Sequence, residues 1–171
     1  MEIRLLRWIR HRWLDDAALR LPHGIVERLA EGIRHCEQGH SAQVSLHIES
    51  SLPTSYLWRK QEMSALLEIR AKDLFASKGI WDTEENNGLL IYLCLAERSV
   101  ELVFDRAVQR AIDAAEWESM LSRMAQHVQS SDIEVGMLEF LGEMSTLLAE
   151  HFPVTQGRTL TNEISDTPTL Q

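Results

Sequence analysis

The central hydrophobic pattern of the chain is a run of seven apolar residues, 89–95, that follows a turn-forming Asn-Asn-Gly sequence. This run is too short to cross a membrane and is typical of a strand covered on both faces. After a polar connection at residues 96–99, the large apolar residues Val100, Leu102 and Phe104 alternate with Glu101 and Val103, as in a half-covered strand. The pattern therefore predicts an antiparallel pair of strands at the centre of a sheet.

The chain before this pair alternates between helical and extended patterns. Apolar residues recur at helical spacing over 25–36, and Pro22 and Gly39 flank that stretch as residues at helix boundaries commonly do. Residues 43–50 alternate apolar and polar with the period of a strand, and 61–77 return to helical spacing. A strand, a helix and a strand in this order predict a crossover unit whose two strands are parallel.

Two more helices are predicted after the strand pair, and each begins at a capping-box sequence. The first box runs from Asp113 to Glu116 and the second from Ser131 to Glu134, with the second helix ending before Pro153. Residues 154–171 have no periodicity and are rich in Thr, which predicts a disordered tail. We therefore expect an N-terminal segment at 1–20 and one α/β domain at 21–153.

Length and charge narrow the class of protein. A chain of 171 residues with 44% hydrophobic and 25% charged residues is typical of one globular domain, and no apolar run is long enough for a membrane helix. The formal net charge of -9 argues against general binding to nucleic acid, which requires a basic surface. The two cysteines fit no motif, so a reducing cytoplasmic setting is the default expectation.

The first 14 residues are the basic exception, with four arginines against a single glutamate. Apolar and basic side chains separate onto two sides of a helical wheel over residues 3–14, which predicts a short amphipathic helix. Two interpretations stay open: the apolar side packs on the domain or on a partner protein, or the helix contacts an anionic membrane reversibly. The second would place the protein peripherally at the inner membrane face. The recurring arginines do not fit a secretory signal.

Several short motifs occur along the chain in a definite order and spacing. They are Phe75-Ala76-Ser77-Lys78-Gly79-Ile80-Trp81, Thr83, Asn87-Gly88-Leu89-Leu90-Ile91-Tyr92, Ala96-Glu97-Arg98-Ser99-Val100-Glu101-Leu102, Asp105-Arg106, Trp117 and His151-Phe152-Pro153. Together they resemble the TPM domain family over about residues 24–153. The resemblance implies a compact α/β/α sandwich with a small mixed sheet, and for some members weak acid phosphatase activity and binding of a divalent cation such as calcium. One position departs from the family, because Ala107 stands where glycine is usual.

An acidic loop before the central strand is the first candidate site. Residues 82–87 concentrate the oxygen ligands that hard cations such as Ca²⁺ or Mg²⁺ prefer, although their spacing is not that of an EF-hand. The alternative is a plain solvated loop whose asparagines favour the turn. The predicted metal ligands, taken together with a carboxylate at the end of the next strand, are Asp82, Glu84, Glu85, Asn87 and Asp105.

The second candidate is the Asp105-Arg106 pair at the end of the second central strand, a favoured position for ligand-facing groups. Asp105 could hold a cation or orient a water; equally, it could pair with Arg106 or Arg110 or cap the next turn. The chain has no P-loop and no cysteine nucleophile motif, so Asp105 and Arg106 are the candidates for any phosphoryl chemistry.

Two classes of function follow. The first is a non-catalytic binding or accessory domain for a protein partner or a membrane surface. The alternative is a weak acid phosphatase assisted by a divalent metal, with Asp105 and the 82–87 loop as cation ligands and Arg106 as the phosphate contact.

Overall fold

The computed structural model describes residues 21–130, 132–154 and 162–171, which form six helices and a four-stranded sheet. The predicted amphipathic helix at 3–14 lies outside these residues. The helices are α1 (Ile25–Glu37), α2 (Thr54–Leu57), α3 (Met63–Ser77), α4 (Arg106–Ala111), α5 (Ala114–Ser130) and α6 (Ile133–His151). The strands are β1 (Gln43–Glu49), β2 (Gly88–Cys94), β3 (Ser99–Phe104) and β4 (Thr169–Leu170).

The sheet has the order β3-β2-β1-β4. β1 and β2 are parallel along their whole length, from the Gln43–Gly88 pair onward, with α3 in the connection between them. β2 and β3 form the predicted antiparallel pair, in which Leu89 faces Phe104. Both strand relationships predicted from the sequence are therefore confirmed.

Hydrophobic side chains pack on both faces of the sheet, which makes the domain an α/β/α sandwich. On one face, apolar residues of β1 and β2 such as Leu46 and Ile91 pack with side chains of α1, α4, α5 and α6. On the other face, Leu90 and Tyr92 pack with side chains of α2 and α3. Every residue of β2 is buried, as the continuous apolar run predicts for a central strand, whereas β3 is half-buried along its length.

The turn into β2 requires the residues that the sequence provides. A Cβ at position 88 would lie 2.0 Å from the carbonyl oxygen of Ile80, so only glycine fits where β2 begins. Asn86 has a φ of 53°, in the left-handed region that asparagine tolerates better than most residues. The close approach of the chain near Ile80 thus determines where β2 starts.

The two predicted helix starts differ in outcome. Asp113 caps α5, because its Oδ1 accepts a hydrogen bond from the backbone N–H of Ala115 at 3.2 Å. The N-cap of α6 is Asp132, one residue later than predicted, and it makes no capping hydrogen bond through its side chain. Glu134 pairs with the Arg28 guanidinium of α1 instead of completing a capping box. The buried face of this helix includes Met137, Leu141, Met144 and Leu148.

The prediction of a disordered tail is wrong for residues 162–171. Thr169 and Leu170 form β4, which pairs in parallel with His47 and Ile48 at the outer edge of β1. The edge of β1 offers backbone groups that need hydrogen-bond partners, and a two-residue strand is too short to produce a periodic pattern in the sequence. Residues 155–161 lie outside the described part of the chain.

Candidate cation site at the end of the sheet

Two chain segments that the sequence singles out separately meet at one end of the sheet. Asp105 follows β3, and its backbone N–H donates to the carbonyl of Gly88 at 2.9 Å. The N–H of Ala107 donates to the carbonyl of Asn86 at 3.0 Å. The loop at 82–87 and the Asp105-Arg106 pair therefore lie side by side, because the register of β2 and β3 brings them together.

Asp105 uses only one of its two carboxylate oxygens in the contacts of the described residues. Its Oδ1 accepts from the backbone N–H of Arg106 at 2.6 Å, which caps α4, and lies 3.7 Å from the Arg106 Nε. Oδ2 is buried and has no hydrogen-bond partner among these residues, and the residue as a whole is 6% exposed. Capping and pairing, the two structural roles predicted for Asp105, thus both fall on Oδ1.

Asn87 presents a second buried oxygen on the neighbouring segment. Its Nδ2 donates to the Ser41 carbonyl at 2.9 Å and to Glu85 Oε2 at 3.1 Å, so the orientation of the amide is determined by two acceptors. The Ser41 hydroxyl donates to the same Glu85 oxygen at 2.5 Å. Within the described chain, Asn87 Oδ1 is buried without a hydrogen-bond partner.

A shallow cleft of about 310 Å³ lies beside these groups and is lined in part by Glu85, Arg106 and Arg110. The Arg106 side chain is largely exposed, and its Nη2 donates to Asn86 Oδ1 at 2.6 Å. Ala107 also lines the cleft and belongs to the first turn of α4. Among the described non-glycine residues only Asn86 and Arg98 have positive φ, so the position of Ala107 does not require glycine in this chain.

The five predicted metal ligands are not all gathered in one place. Asp82 and Glu84 are exposed, and the backbone N–H of Glu84 donates to Glu163 Oε2 at 2.9 Å. No group of three or more His, Cys, Asp or Glu side chains suited to a metal ion occurs in residues 21–130, 132–154 and 162–171. Of the five, Glu85 and Asn87 are in direct contact through the Asn87 Nδ2 hydrogen bond, and Asp105 lies on the neighbouring segment, whose backbone N–H donates to Gly88.

Sequence reasoning missed two residues that hold this site together. Thr83 Oγ1 accepts from the backbone N–H of Asn87 at 3.0 Å, and Ser41 contacts both Asn87 and Glu85. No motif identifies Ser41, because it reaches the site only through the parallel pairing of β1 with β2.

A second polar cluster, also missed from the sequence, lies inside the sandwich. Glu49 accepts hydrogen bonds from Arg70 Nη2 and from the Tyr92 hydroxyl, both at 2.6 Å. Burial raises the pKa of Tyr92, and nearby Cys94 and Glu49 raise it further, so the phenol stays protonated as the donor. Glu49 is almost fully buried, so its carboxylate needs partners inside the protein. The Arg70 cation and the neutral Tyr92 hydroxyl supply them.

Cys36 and His40 form a buried pair in which Sγ and Nε2 are 3.5 Å apart. Burial raises the pKa of the Cys36 thiol to about 12 and lowers that of His40 to about 4. His40 Nδ1 lies 3.1 Å from the Ala42 carbonyl, which favours the tautomer protonated at Nδ1. Both groups are neutral at pH 7, so this pair has the properties of a structural contact rather than a nucleophile.

The layered sheet, its strand order and this end-of-sheet cluster define a small α/β/α sandwich domain. The family model of the TPM domain matches residues 15–147, and the chain therefore belongs to the TPM domain family. This confirms the family that the sequence motifs resemble.

The fold is similar to that in the NMR structure of BA42 protein from the psychrophilic bacterium Bizionia argentinensis, with a TM-score of 0.73 and 18% sequence identity. The alignment covers 88% of this chain and 95% of that one, and at this identity the likeness shows the fold alone. No curated protein sequence is significantly similar to the chain. None of the helices in the described parts is long and apolar enough to cross a membrane.

Proposed function

We propose that this TPM-family chain is an accessory binding domain that takes a divalent cation, Ca²⁺ or Mg²⁺, at the end of its sheet. The observation that supports it most is the pair of buried oxygens, Asp105 Oδ2 and Asn87 Oδ1, that have no hydrogen-bond partner among the described residues. Buried acceptors are nearly always satisfied, so two on adjacent segments need an explanation. A hard cation would satisfy both kinds of oxygen.

The chemistry of the residues fits such an ion. Asp105 would supply charge, the Asn87 amide a neutral oxygen, and Glu85 a second carboxylate that Ser41 and Asn87 already hold in place. Calcium accepts carboxylate, amide and backbone oxygens together with water, so three protein side chains are sufficient for a weak site. A bound cation would neutralise the acidic side chains at this end of the sheet.

The proposed accessory role requires a surface that contacts a protein or a membrane. The basic, amphipathic segment at 1–14 is proposed to meet a protein partner or an anionic membrane surface, because its arginines contrast with the acidic remainder of the chain. Deleting residues 1–14 should abolish co-sedimentation with vesicles containing anionic lipid. Equal sedimentation with and without the segment would contradict the membrane contact and leave the protein partner.

The cation is tested by calorimetric titration of the full-length protein with Ca²⁺ and with Mg²⁺. Asp105→Asn should abolish saturable binding while preserving the fold, because asparagine also serves as an N-cap for α4. Asp82→Asn is the matched control, since it removes an exposed acid from the neighbouring 82–87 loop and leaves Asp105 unchanged. Equal affinity of wild type and Asp105→Asn would refute the site.

A second function, weak metal-assisted acid phosphatase activity, is favoured by a separate observation. Arg106 and Arg110 line the cleft next to the proposed cation site and could contact the oxygens of a phosphate. When bound, the cation would add positive charge to stabilise a phosphoryl group. Arg106 would orient the phosphate, and Asp105 would hold the cation in place.

Hydrolysis of p-nitrophenyl phosphate with and without added cation tests this alternative. The phosphatase hypothesis predicts that Asp105→Asn abolishes turnover and that Arg106→Ala raises KM. Cation binding without any turnover above the buffer rate would leave the accessory domain as the function.

A further inference from the structure

One face of β1 is polar and yet buried. Its side chains Gln43, Ser45, His47 and Glu49 are all at most 7% exposed, although their alternation with apolar residues is typical of a strand with one face in solvent. Contacts to this face come from α3, through Arg70, and from residues 162–171. We call the latter the 162–171 segment.

The 162–171 segment is held by backbone hydrogen bonds and also by side-chain contacts of Ile164, Thr169 and Gln171. Gln171 donates its N–H to the carbonyl of Ile48 at 3.0 Å and accepts from the N–H of Ser50 at 2.7 Å. The Oε1 of Gln43 accepts from the backbone N–H groups of Glu163 and Ile164 at 2.8 and 3.2 Å. Backbone pairing of this kind accepts an extended segment of many different sequences, and side-chain contacts then provide the specificity.

Lys78 is a cation that meets a neutral partner in this arrangement. Its Nζ donates to the Thr169 hydroxyl at 2.9 Å, and it forms no ion pair with a carboxylate of the described residues. Burial lowers the pKa of Lys78, and the charge of Arg70 lowers it further. A carboxylate in place of the hydroxyl would form a stronger, charge-assisted hydrogen bond.

His47 lies opposite Thr169 in the register of β1 and β4 and also has unused hydrogen-bonding capacity. It is 1% exposed, and neither ring nitrogen has a hydrogen-bond partner within the described residues. Burial, followed by the charges of Lys78 and Arg70, lowers the pKa of His47 to about 4, so the ring is neutral at pH 7. The unpaired donor and acceptor of His47 are energetically unfavourable while the 162–171 segment covers the ring.

We propose that the outer edge of β1 is a binding site for an extended segment of a partner protein that carries an acidic side chain opposite Lys78. The 162–171 segment is then the weaker occupant of that site in the free chain. Its small number of ladder bonds and its neutral side chain at position 169 make it replaceable. This inference depends on Lys78 and His47 and does not require the proposed cation, although Glu163 of the same segment accepts from the backbone N–H of Glu84 in the 82–87 loop.

Fluorescence anisotropy with the full-length protein tests the proposal. The two probes are fluorescein-labelled peptides with the sequence of residues 162–171, one native and one carrying Thr169→Glu. We expect the Thr169→Glu peptide to bind about fivefold more tightly, since a charged hydrogen bond is roughly twice as strong as a neutral one. Added salt should reduce this difference.

Variants of the protein test whether Lys78 causes the preference for the acidic peptide. Lys78→Gln should remove the preference for the acidic peptide, whereas Lys72→Gln should keep it. Lys72 is the matched control because it is an exposed lysine of α3, the helix that ends just before Lys78, and it pairs with Glu68 at 2.6 Å. Gln171→Pro removes the N–H that donates to Ile48, so it should weaken the internal competitor and tighten the binding of both peptides.

Absence of saturable binding to folded Gln171→Pro protein would overturn the proposal, and so would a preference for the acidic peptide that survives Lys78→Gln. The proposal would also be overturned if Gln171→Pro protein forms a dimer whose fraction rises with protein concentration and which dissociates when peptide is added. That result would assign the edge of β1 to the 162–171 segment of a second copy rather than to a partner protein.

Discussion

Replacing Arg70 with methionine should destabilise the domain far more than the same change in a surface ion pair. Arg70 and Glu49 form a salt bridge at 2.6 Å in which the side chains are 14% and 2% exposed. Within the described residues, the variant would leave the buried Glu49 carboxylate with the Tyr92 hydroxyl as its remaining donor. Removing one partner of a buried pair typically costs about 3–5 kcal/mol, because the remaining charge loses its compensation.

The contacts of Arg70 and Glu49 indicate where in that range the loss of unfolding free energy should fall. Arg70 Nε also lies 3.2 Å from both oxygens of Glu49, so the variant loses a guanidinium that contacts the carboxylate through two nitrogens. The hydroxyl of Tyr92 and the partial exposure of Arg70 moderate the loss. We therefore expect a decrease of about 3 kcal/mol in the free energy of unfolding.

Urea denaturation followed by circular dichroism measures this change. The control is Arg123→Met, because the Arg123–Glu143 pair has the same 2.6 Å distance but side chains that are 51% and 41% exposed. An exposed pair of this kind contributes about 0–1 kcal/mol. Adding Glu49→Gln to Arg70→Met should recover part of the lost stability, since the double variant no longer buries an unpaired charge.

Equal losses for Arg70→Met and Arg123→Met would refute the reasoning, because burial is the main physical difference between the two pairs. A double variant less stable than Arg70→Met alone would show that the loss comes from packing of the arginine stem rather than from the charge of Glu49.

Three further predictions concern the backbone and the pH dependence of stability. Gly88→Ala should cost about 1–3 kcal/mol because its Cβ would lie 2.0 Å from the Ile80 carbonyl oxygen, whereas Gly142→Ala has open space; equal urea midpoints would contradict this. Burial raises the pKa of Glu37 to about 8, so its contribution to stability falls as pH rises from about 4.5 to about 8. In urea titrations at pH 6.5 and 8, Glu37→Gln should lose that decline, and an unchanged slope would refute the assignment. Burial lowers the pKa of His47 to about 4, so its contribution is lost as pH falls from about 6.5 to about 4. His47→Phe should reduce this acid destabilisation, and a loss as steep as in wild type would exclude His47 as its source.

The candidate site was only partly predictable from the sequence. The acidic loop and the Asp105-Arg106 pair could be recognised by composition and by their position beside strands. Their meeting depends on the register of β2 and β3, and the contribution of Ser41 depends on the pairing of β1 with β2. Neither relationship leaves a local signal, because residues far apart in the chain share no periodicity.

The polar side chains of β1 show the same limit of prediction from a local sequence pattern. Alternation at 43–50 correctly indicated a strand, but the same alternation is typical of a strand with one face in solvent, so it did not indicate that the polar face is buried. In the fold, Arg70 from α3 and the 162–171 segment cover that face instead, so Gln43 and Glu49 are buried with hydrogen-bond partners. The composition of one strand cannot reveal which distant groups will complete its hydrogen bonds.

The sequence by itself determined the four long helices, the three long strands and the family, because hydrophobic periodicity, turn residues and motif order are local properties. It did not predict the short helices α2 and α4, which contain too few turns to show a period. Only the tertiary structure decided which oxygens stay unpaired at Asp105 and Asn87, and that the 162–171 segment completes the sheet. These features depend on long-range register and on burial, since a polar group's need for a partner arises only when folding removes it from water.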